Sequence, residues 1–482
     1  MTPNHRLTIF QMNDTHGYVE PHRELVWRGA TPSYPVLGGY ARIKTLLDDA
    51  RRGNPGGVLA LDNGDTFHGT YLAVSSKGLA LVPLVNSLGL DAMTAHWEFA
   101  WGPRHFMDLA RSLAHPVLAA NCFAKESGER PFPGTMVVER AGLRIGVVGL
   151  AATIIDKSMP PHFSTGLRFT DGVKETDEAV GQLRGKDLVD LVVVLSHLGF
   201  PQDMELAKEV RGIDVLLSGH THNRLEHPAL VRDTILIQSG CHGSFIGLLD
   251  LDVRGGRVVS YRHRLIEVND GIQGDPGMDS LVDEVMSPHR SMLGETVGRT
   301  DIGLHRGTTL CAPMDDLLLA AVADAADTAI AFSNGWRYGA PVPPGRVTMN
   351  DLWNMVPTNP PVSTADLTGA EITEMLEENV ERTFSGKPFR QMGGYLKRFR
   401  GLTIYGKLEN PAGSRIERVF AMDDPLDASQ TYRVAFITAQ GVPERFGKNR
   451  RDLPIGAVAA LRTYLQAGKK PGPETLGRFV AV

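Results

Sequence analysis

Apolar residues in the first half of this chain gather into short, nearly unbroken runs of valine, isoleucine and leucine. They recur at 7–11, 57–62, 116–121, 143–150, 188–195, 215–218 and 234–238. Runs of that length without polar interruption predict strands covered on both faces. Stretches such as 39–51 and 203–210 lie between them and read as helices, so the alternation predicts a layered α/β domain. Residues 247–265 read as a closing hairpin that turns at Arg254-Gly255-Gly256-Arg257. A Gly/Asp/Pro-rich stretch follows at 270–277, then a helical segment ending near Leu293. The second half opens near Gly294, and Leu367-Thr368-Gly369 before 370–380 is a strand-to-helix entry. The expected organisation is a catalytic domain over 1–270, a linker helix over 271–294 and a substrate-recognition domain over 295–482. A length of 482 residues exceeds what one core organises, which agrees with two domains.

Composition narrows the class without choosing a function. Hydrophobic residues at 42% and charged residues at 22% are ordinary for a globular chain. A net charge of −5 offers no broad basic field, so nucleic acid is excluded as a partner. No apolar run of about 18 residues occurs, so no membrane partner is expected. No charged segment with an apolar stretch precedes the first strand. As written the chain is expected in the cytoplasm, or in the periplasm if an export signal is missing from it. Cys122, Cys241 and Cys311 are odd in number and widely spaced, which predicts free thiols rather than a disulfide framework or a Cys metal site.

Metal-type residues stand at or just past the ends of the predicted strands. They are Asp14-Thr15-His16, Gly64-Asp65, His96, Ser196-His197 and Gly219-His220-Thr221-His222. Open α/β sheets gather their reactive groups at such ends. Two divalent cations about 3.5–4 Å apart repel each other, so a site for both needs an anionic bridge. Asp65, after a strand and beside a turn-permitting glycine, suits that bridge. Residues two apart on an extended chain point to one side, which lets Asp14 with His16, and His220 with His222, converge. Asp14, His16, Asp65 and His222 are assigned to the first ion, and Asp65, His96, His197 and His220 to the second. Mixed carboxylate and imidazole donors suit manganese, iron or zinc better than calcium. The remaining histidines, His68 among them, are by default surface or structural, with His242 in 239–247 a candidate to face the cleft. A DxH or a lone strand-end histidine means little alone; the order of all five pieces carries the reading.

The series Phe10-Gln-Met-Asn-Asp14-Thr-His16-Gly17, Gly38-Gly-Tyr-Ala-Arg42, Asp62-Asn-Gly-Asp65, Ser196-His197-Leu-Gly199 and Ser218-Gly-His220-Thr-His222 resembles the calcineurin-like metallophosphoesterases of the 5′-nucleotidase type. Ser333-Asn334-Gly335-Trp336-Arg337 and Leu367-Thr-Gly369 are similar to the carboxy-terminal domain of that family. The resemblance implies a four-layer αββα catalytic domain, a linker helix and a C-terminal α/β domain. It also implies catalytic roles for Asp65, His96, Asn334 and Arg337, and substrate contacts from Asn334, Trp336, Arg337, Tyr395 and Arg398.

Two departures bear on the substrate. The family's usual Gly-Asn-His-Glu-Phe-Asp is here Ala95-His96-Trp97-Glu98-Phe99-Ala100, so His96 replaces the Asn ligand while Trp97 and Ala100 remove the His–Asp pair that assists the leaving group. The stretch 436–446 lacks the family's Gly-rich aromatic loop that stacks a base. His96-Trp-Glu-Phe99, Ser333–Gly339 and Gln391–Arg398 resemble the Sox thiosulfohydrolase branch. That branch implies two manganese ions and release of sulfate from a cysteine-linked sulfur conjugate on a carrier protein. Arg390, Lys397, Arg398 and Arg400 are further candidates to receive an anionic group. The expectation is a hydrolase in which hydroxide between two ions attacks a sulfonyl or phosphoryl centre, with metals and Arg337 taking up the charge. The alternatives are a 5′-nucleotidase or other phosphoesterase acting on a small anionic substrate, and a non-catalytic binding protein that keeps its metals for structure.

Overall fold

A computed structural model describes residues 4–471 and 477–482, and the chain divides into two units. One comprises the residues up to His22 and Pro35–Pro288; the other comprises Arg23–Tyr34 and the residues from His289 onward. The division falls inside the helix Pro276–Leu293, after Pro288. The short pairing of Val26–Arg28 with Thr31–Ser33 belongs to the second unit, although the sequence places it in the first domain.

The first unit is built on β1 (Asn4–Met12), β2 (Val58–Asp62), β3 (Ala92–Met93), β4 (Thr135–Arg140), β5 (Leu143–Leu150), β6 (Leu191–Ser196), β7 (Val215–Leu217), β8 (Ala229–Val231), β9 (Thr234–Ile237), β10 (Phe245–Arg254) and β11 (Arg257–Glu267). One sheet runs β11-β10-β1-β2-β3 and the other β8-β9-β7-β6-β5-β4. Strands β1, β2 and β3 are parallel to one another, as are β5, β6, β7 and β9, while the hairpin β10–β11 closes the first sheet antiparallel to β1.

Alternate residues explain why the two sheets stack. Leu7, Ile9, Leu59, Leu61, Leu249 and Leu251 of one sheet share a core with Ile145, Val147, Val193, Leu195, Val215 and Ile237 of the other. Each i, i+2 series fills one face of its strand. Their neighbours Val192 and Val194 are buried as well, which is why the sequence shows unbroken apolar runs. Each such side chain contributes about 1.5–3 kcal/mol by leaving water, and truncating Leu195 to Ala would cost about 2–5 kcal/mol. Helix α1 (Tyr40–Gly53) packs on β1 and β2, and α2 (Val173–Gly185) on β5.

The stretch 116–121 is not a strand. Its bridge is Met93↔Val117, and its amides divide between the sheets: Leu118 N–H donates to Met93 O at 2.8 Å and Ala120 N–H to Gly149 O at 2.7 Å. An extended segment serving two sheets reads in sequence like a strand of either.

The second unit has its own core, from Ile330, Phe332, Leu367, Ile372, Leu376, Leu396, Val434 and Phe436 among others. Its larger sheet is ordered Tyr395–Arg400, Ile330–Gly335, Thr431–Ile437, Pro361–Thr368, Lys448–Gly456. The expected strand-to-helix entry is present. Thr368 accepts from the Glu371 amide and Glu371 accepts from the Thr368 amide, a capping box that starts the helix Gly369–Phe384. Among the described residues no helix is long and apolar enough to cross a membrane.

Candidate metal centre

The strand ends of both sheets in the first unit deliver seven side chains to one place. Asp14 with His16 follow β1, Asp65 follows β2, His96 follows β3, His197 follows β6, and His220 with His222 follow β7. Five of the seven ligand positions have left-handed backbone conformations: Asp14 φ 50°, His16 φ 51°, Asp65 φ 59°, His220 φ 69° and His222 φ 58°. Such a conformation costs a non-glycine residue about 1–3 kcal/mol and persists where the surroundings impose it. Here Asp14 N–H donates to Gly64 O at 3.0 Å and His16 N–H to Asp65 O at 2.9 Å. The extended i, i+2 geometry expected for Asp14 and His16 is therefore replaced by a turn, closed by Tyr18 N–H donating to Thr15 O at 3.1 Å. Both side chains still reach one side, because the chain folds back on leaving the sheet.

Asp65 occupies the middle. Its Oδ2 lies 3.1 Å from His96 Nδ1, 3.6 Å from His197 Nε2 and 3.9 Å from His16 Nε2. Asp14 Oδ1 lies 3.3 Å from His222 Nε2 and 3.5 Å from His197 Nε2, and His16 Nε2 is 3.2 Å from His222 Nε2. Ligand atoms of Asp14, His16 and His222 lie within 4.8 Å of one another, as do those of His96, His197 and His220, and those of Asp14, Asp65 and His197. The first two triplets gather residues that the sequence assigned to separate ions, each without Asp65, whose carboxylate stands within 3.9 Å of members of both. His96 Nε2 and His197 Nε2 are buried without a hydrogen-bond partner among the described residues, which is costly for an imidazole unless something else takes its lone pair. Two divalent cations fit this set of donors, and the choice of metal is not fixed by it.

The charges are balanced within the cluster. Burial opposes the charged form of Asp14, yet His197 and His222 hold its carboxyl down at about 2. Asp65 is held well below the ordinary range in the same way, against burial, by His16 and His96. Burial drives His16 well below the usual imidazole range, leaving it neutral as a ligand must be. Burial lowers His197 too, but Asp14 and Asp65 outweigh it and raise the imidazole to about 9. Without cations a proton on His197 offsets the carboxylates, and cation binding would release it.

A frame of buried amides and carboxylates holds these groups. His197 Nδ1 lies 2.6 Å from the Asn63 carbonyl, which fixes the tautomer that turns the Nε2 lone pair into the cluster. Asn63 Nδ2 donates to Ser196 O and Leu217 O, each at 2.8 Å, and Gln11 Nε2 donates to Asn63 Oδ1 at 2.8 Å and Ser218 O at 2.9 Å. Glu98 accepts from the amides of Thr66 at 2.7 Å and His96 at 2.6 Å, tying the Asp65 and His96 turns together. Gly64 (φ 86°) is required between them, since a Cβ there would lie 2.5 Å from Thr94 O. Sequence reasoning assigned no role to Asn63, Gln11 or Glu98. All three lie inside motifs it had singled out, Gln11 in 10–17, Asn63 in 62–65 and Glu98 in 95–100.

Trp97 and Ala100 stand where the resemblance would place a proton-handling His–Asp pair. The Trp97 indole stacks on His68, with ring centroids 4.0 Å apart and planes 9° off parallel, and meets the Phe163 edge at 5.3 Å. His68 is fully buried, contrary to a surface position, and burial pushes its imidazole down to about 4. His242 is also buried, its ring 5.9 Å from that of His16 and 6.2 Å from that of His222.

The second unit treats its expected site residues unequally. Half-buried Arg337 donates to Gly394 O at 2.9 Å and stands 5.4 Å over the Tyr395 ring, while Asn334 Oδ1 accepts from Thr438 Oγ1 at 3.4 Å. Trp336 is buried, with the Arg306 guanidinium 5.5 Å from its ring. Arg398 departs from its expected role. It is buried, donating through Nε to Asp315 at 2.9 Å and through its other nitrogens to Thr309 O and Thr308 O, each at 2.8 Å. Lys397 is likewise buried and donates to Gln440 O and Gly441 O. Both cations are consumed by internal acceptors, so neither is carried forward as an anion receptor. In the stretch 436–446, Phe436 and Phe446 belong to the unit's core.

Comparison with known proteins agrees with this architecture. Residues 296–438 match the family described as 5′-nucleotidase, C-terminal domain. The trifunctional nucleotide phosphoesterase of Bacillus subtilis is 26% identical over 495 aligned positions, covering 90% of this chain and 32% of that protein, so the chain spans about a third of that relative's length. Two solved structures from Thermus thermophilus are similar throughout. Sulfate thiohydrolase SoxB, solved with glycerol, gives a TM-score of 0.91 at 25% identity, covering 100% of this chain and 98% of that one. A 5′-nucleotidase precursor gives 0.86 at 25% identity, covering 98% and 99%. With these likenesses beside the ligand cluster, residues 296–438 form a 5′-nucleotidase C-terminal domain, and the chain is similar throughout to metal-dependent hydrolases of the 5′-nucleotidase type.

Proposed function

We propose that the protein is a thiosulfohydrolase of the Sox type, using two manganese ions to release sulfate from a cysteine-linked S-sulfonate on a carrier protein. The observation that carries this reading is the Trp97–His68 stack, in a motif that ends on Ala100 rather than an acid. An indole packed face to face on a buried, neutral imidazole does not protonate a leaving group. Phosphate monoesters expel an alkoxide, which needs that proton; an S-sulfonate expels a thiolate, a far weaker base. Water adds through oxygen to the sulfonate sulfur, and the S–S bond breaks with its electron pair leaving on the cysteine-side sulfur, which takes up a proton. The products are sulfate and a thiol, and no electrons are exchanged with a third party. Bound cations would supply Lewis acidity and a water of lowered pKa. Asp65 would hold the pair together, and neutral His16 and the fixed tautomer of His197 would face it. Asn334, Arg337 and Tyr395 remain the candidates for receiving the anionic group, and the absence of a base-stacking loop removes the main recognition element for a nucleoside. The reading requires enzyme and carrier to share a compartment.

The second reading, a 5′-nucleotidase or another phosphoesterase, is favoured by the match at 296–438 and by the precursor's likeness. Purified protein loaded with manganese, zinc or iron should be assayed on S-sulfonated cysteine, AMP and bis-p-nitrophenyl phosphate. Sulfate release dominated by the S-sulfonate is expected. AMP hydrolysis with kcat/KM above about 10⁴ M⁻¹s⁻¹ would reverse the assignment.

A further inference from the structure

One fully buried carboxylate lies outside the ligand cluster yet touches the segments that present two of its histidines. Asp203 sits in the first turn of the helix Phe200–Glu209, which starts three residues after His197. Its Oδ1 accepts from Ser196 Oγ at 2.5 Å and its Oδ2 from Ser218 Oγ at 2.6 Å. Ser196 ends β6 immediately before His197; Ser218 follows β7 two residues before His220. One side chain therefore straddles the ends of two neighbouring parallel strands.

The hydrogen-bond directions show that a carboxylate is needed at this point. Leu198 N–H donates to Ser196 Oγ at 3.1 Å, and an amide can only donate, so that serine's own proton is free to go to Asp203. Gln238 Nε2 donates to Ser218 Oγ at 2.8 Å and to Gly219 O at 2.6 Å, which sends the second serine's proton to Asp203 too. Gln238 Oε1 meanwhile accepts from Thr221 Oγ1 at 3.1 Å and from the Asn223 amide, framing the loop that carries His220 and His222. Both chains of donors end on Asp203, and an acceptor with two oxygens terminates both.

We infer that Asp203 is a positioning residue that fixes His197 and His220 relative to each other and so sets the affinity of the ion they hold with His96. The inference rests on the dinuclear reading of the site, but on neither substrate. It predicts an asymmetry: His222 connects to Asp203 at one remove, through the Gln238 and Ser218 side chains, and Asp14 and His16 follow another strand, so the first ion should depend on it less than the second.

The test titrates the full-length chain, stripped with a chelator, with manganese(II), following heat and the free-ion electron paramagnetic signal. Burial raises the Asp203 carboxyl to about 7 against the pull of the serine hydroxyls, so the titration is run above that value. Asp203→Asn keeps the shape but offers one oxygen where two are used. The expected result is one ion weakened about 10- to 100-fold and the other by a distinctly smaller factor, with turnover restored by added manganese. Ser218→Ala, which removes one arm alone, should weaken the same ion by a smaller factor and carries the test if Asp203→Asn does not fold. Equal weakening of both ions, or no change in either, overturns the inference. A wild-type chain that takes up fewer than two ions overturns the dinuclear reading itself.

Discussion

The two units both bury charge, and they do opposite things with it. In the second, Arg306 and Arg398 both donate to Asp315, at 2.8 and 2.9 Å, and the remaining nitrogens of Arg398 and the ammonium of Lys397 end on main-chain carbonyls. The first unit instead gathers two carboxylates and five imidazoles, leaves His96 Nε2 without a hydrogen-bond partner among the described residues, and sets His197 Nε2 only 3.5 and 3.6 Å from two carboxylates. Burial alone therefore does not mark a reactive group. Convergence with unspent lone pairs does, because a protein keeps such groups dry only where a bound partner completes them.

That contrast can be broken from either side. Asp65→Asn should cost turnover by on the order of 10³-fold or more while leaving the far-ultraviolet circular dichroism unchanged, since it removes the shared carboxylate and little volume. Retained turnover would show that the cluster is not where the chemistry occurs. Arg398→Ala should destabilise the second unit by about 3–5 kcal/mol in urea denaturation, by stranding part of Asp315, with metal content unaltered. A change in KM without loss of stability would return Arg398 to the substrate site. Chelation should abolish activity and lower the melting point of the first unit, consistent with about 2.7 kcal/mol of stabilisation when free metal stands at 100 times Kd. Two calorimetric transitions moving together would contradict independent cores.

The smallest effect concerns Lys397. Burial, aided by the Arg382 charge, lowers its ammonium to about 7 from an ordinary 10.5. Between those values the unfolded chain binds the proton that the folded chain has lost, so stability rises with pH across that window. The slope is at most about 1.4 kcal/mol per pH unit. Denaturation midpoints measured between neutral and mildly alkaline pH should show the rise, and Lys397→Met should flatten it.

The sequence exposed the scaffold where physics is local. Leu191–Ser196 and Leu143–Leu150 announce themselves as strands because both of their faces are buried, and the ligands were found because each follows such a run. The segment 116–121 misled because its amides serve two sheets. Asn63 and Gln11 escaped notice because their partners at 217 and 218 lie more than 150 positions away, with |i−j| of 154 and 207. Arg398 misled in the other direction: a basic residue in a motif looks like an anion receptor until Asp315, 83 positions earlier, is seen to hold it.

The first strand lies mid-sheet, flanked by β2 and by β10, with Asn4 opposite Arg254. A ribosome adding roughly 5–20 residues per second makes that partner on the order of tens of seconds after the strand itself. Through that interval one edge of the nascent strand stays unmatched, and Asp14 waits at its tip for imidazoles not yet translated. Cation loading is therefore a late event in the life of each new molecule, and chaperone dependence during synthesis should be felt most by the amino-terminal half.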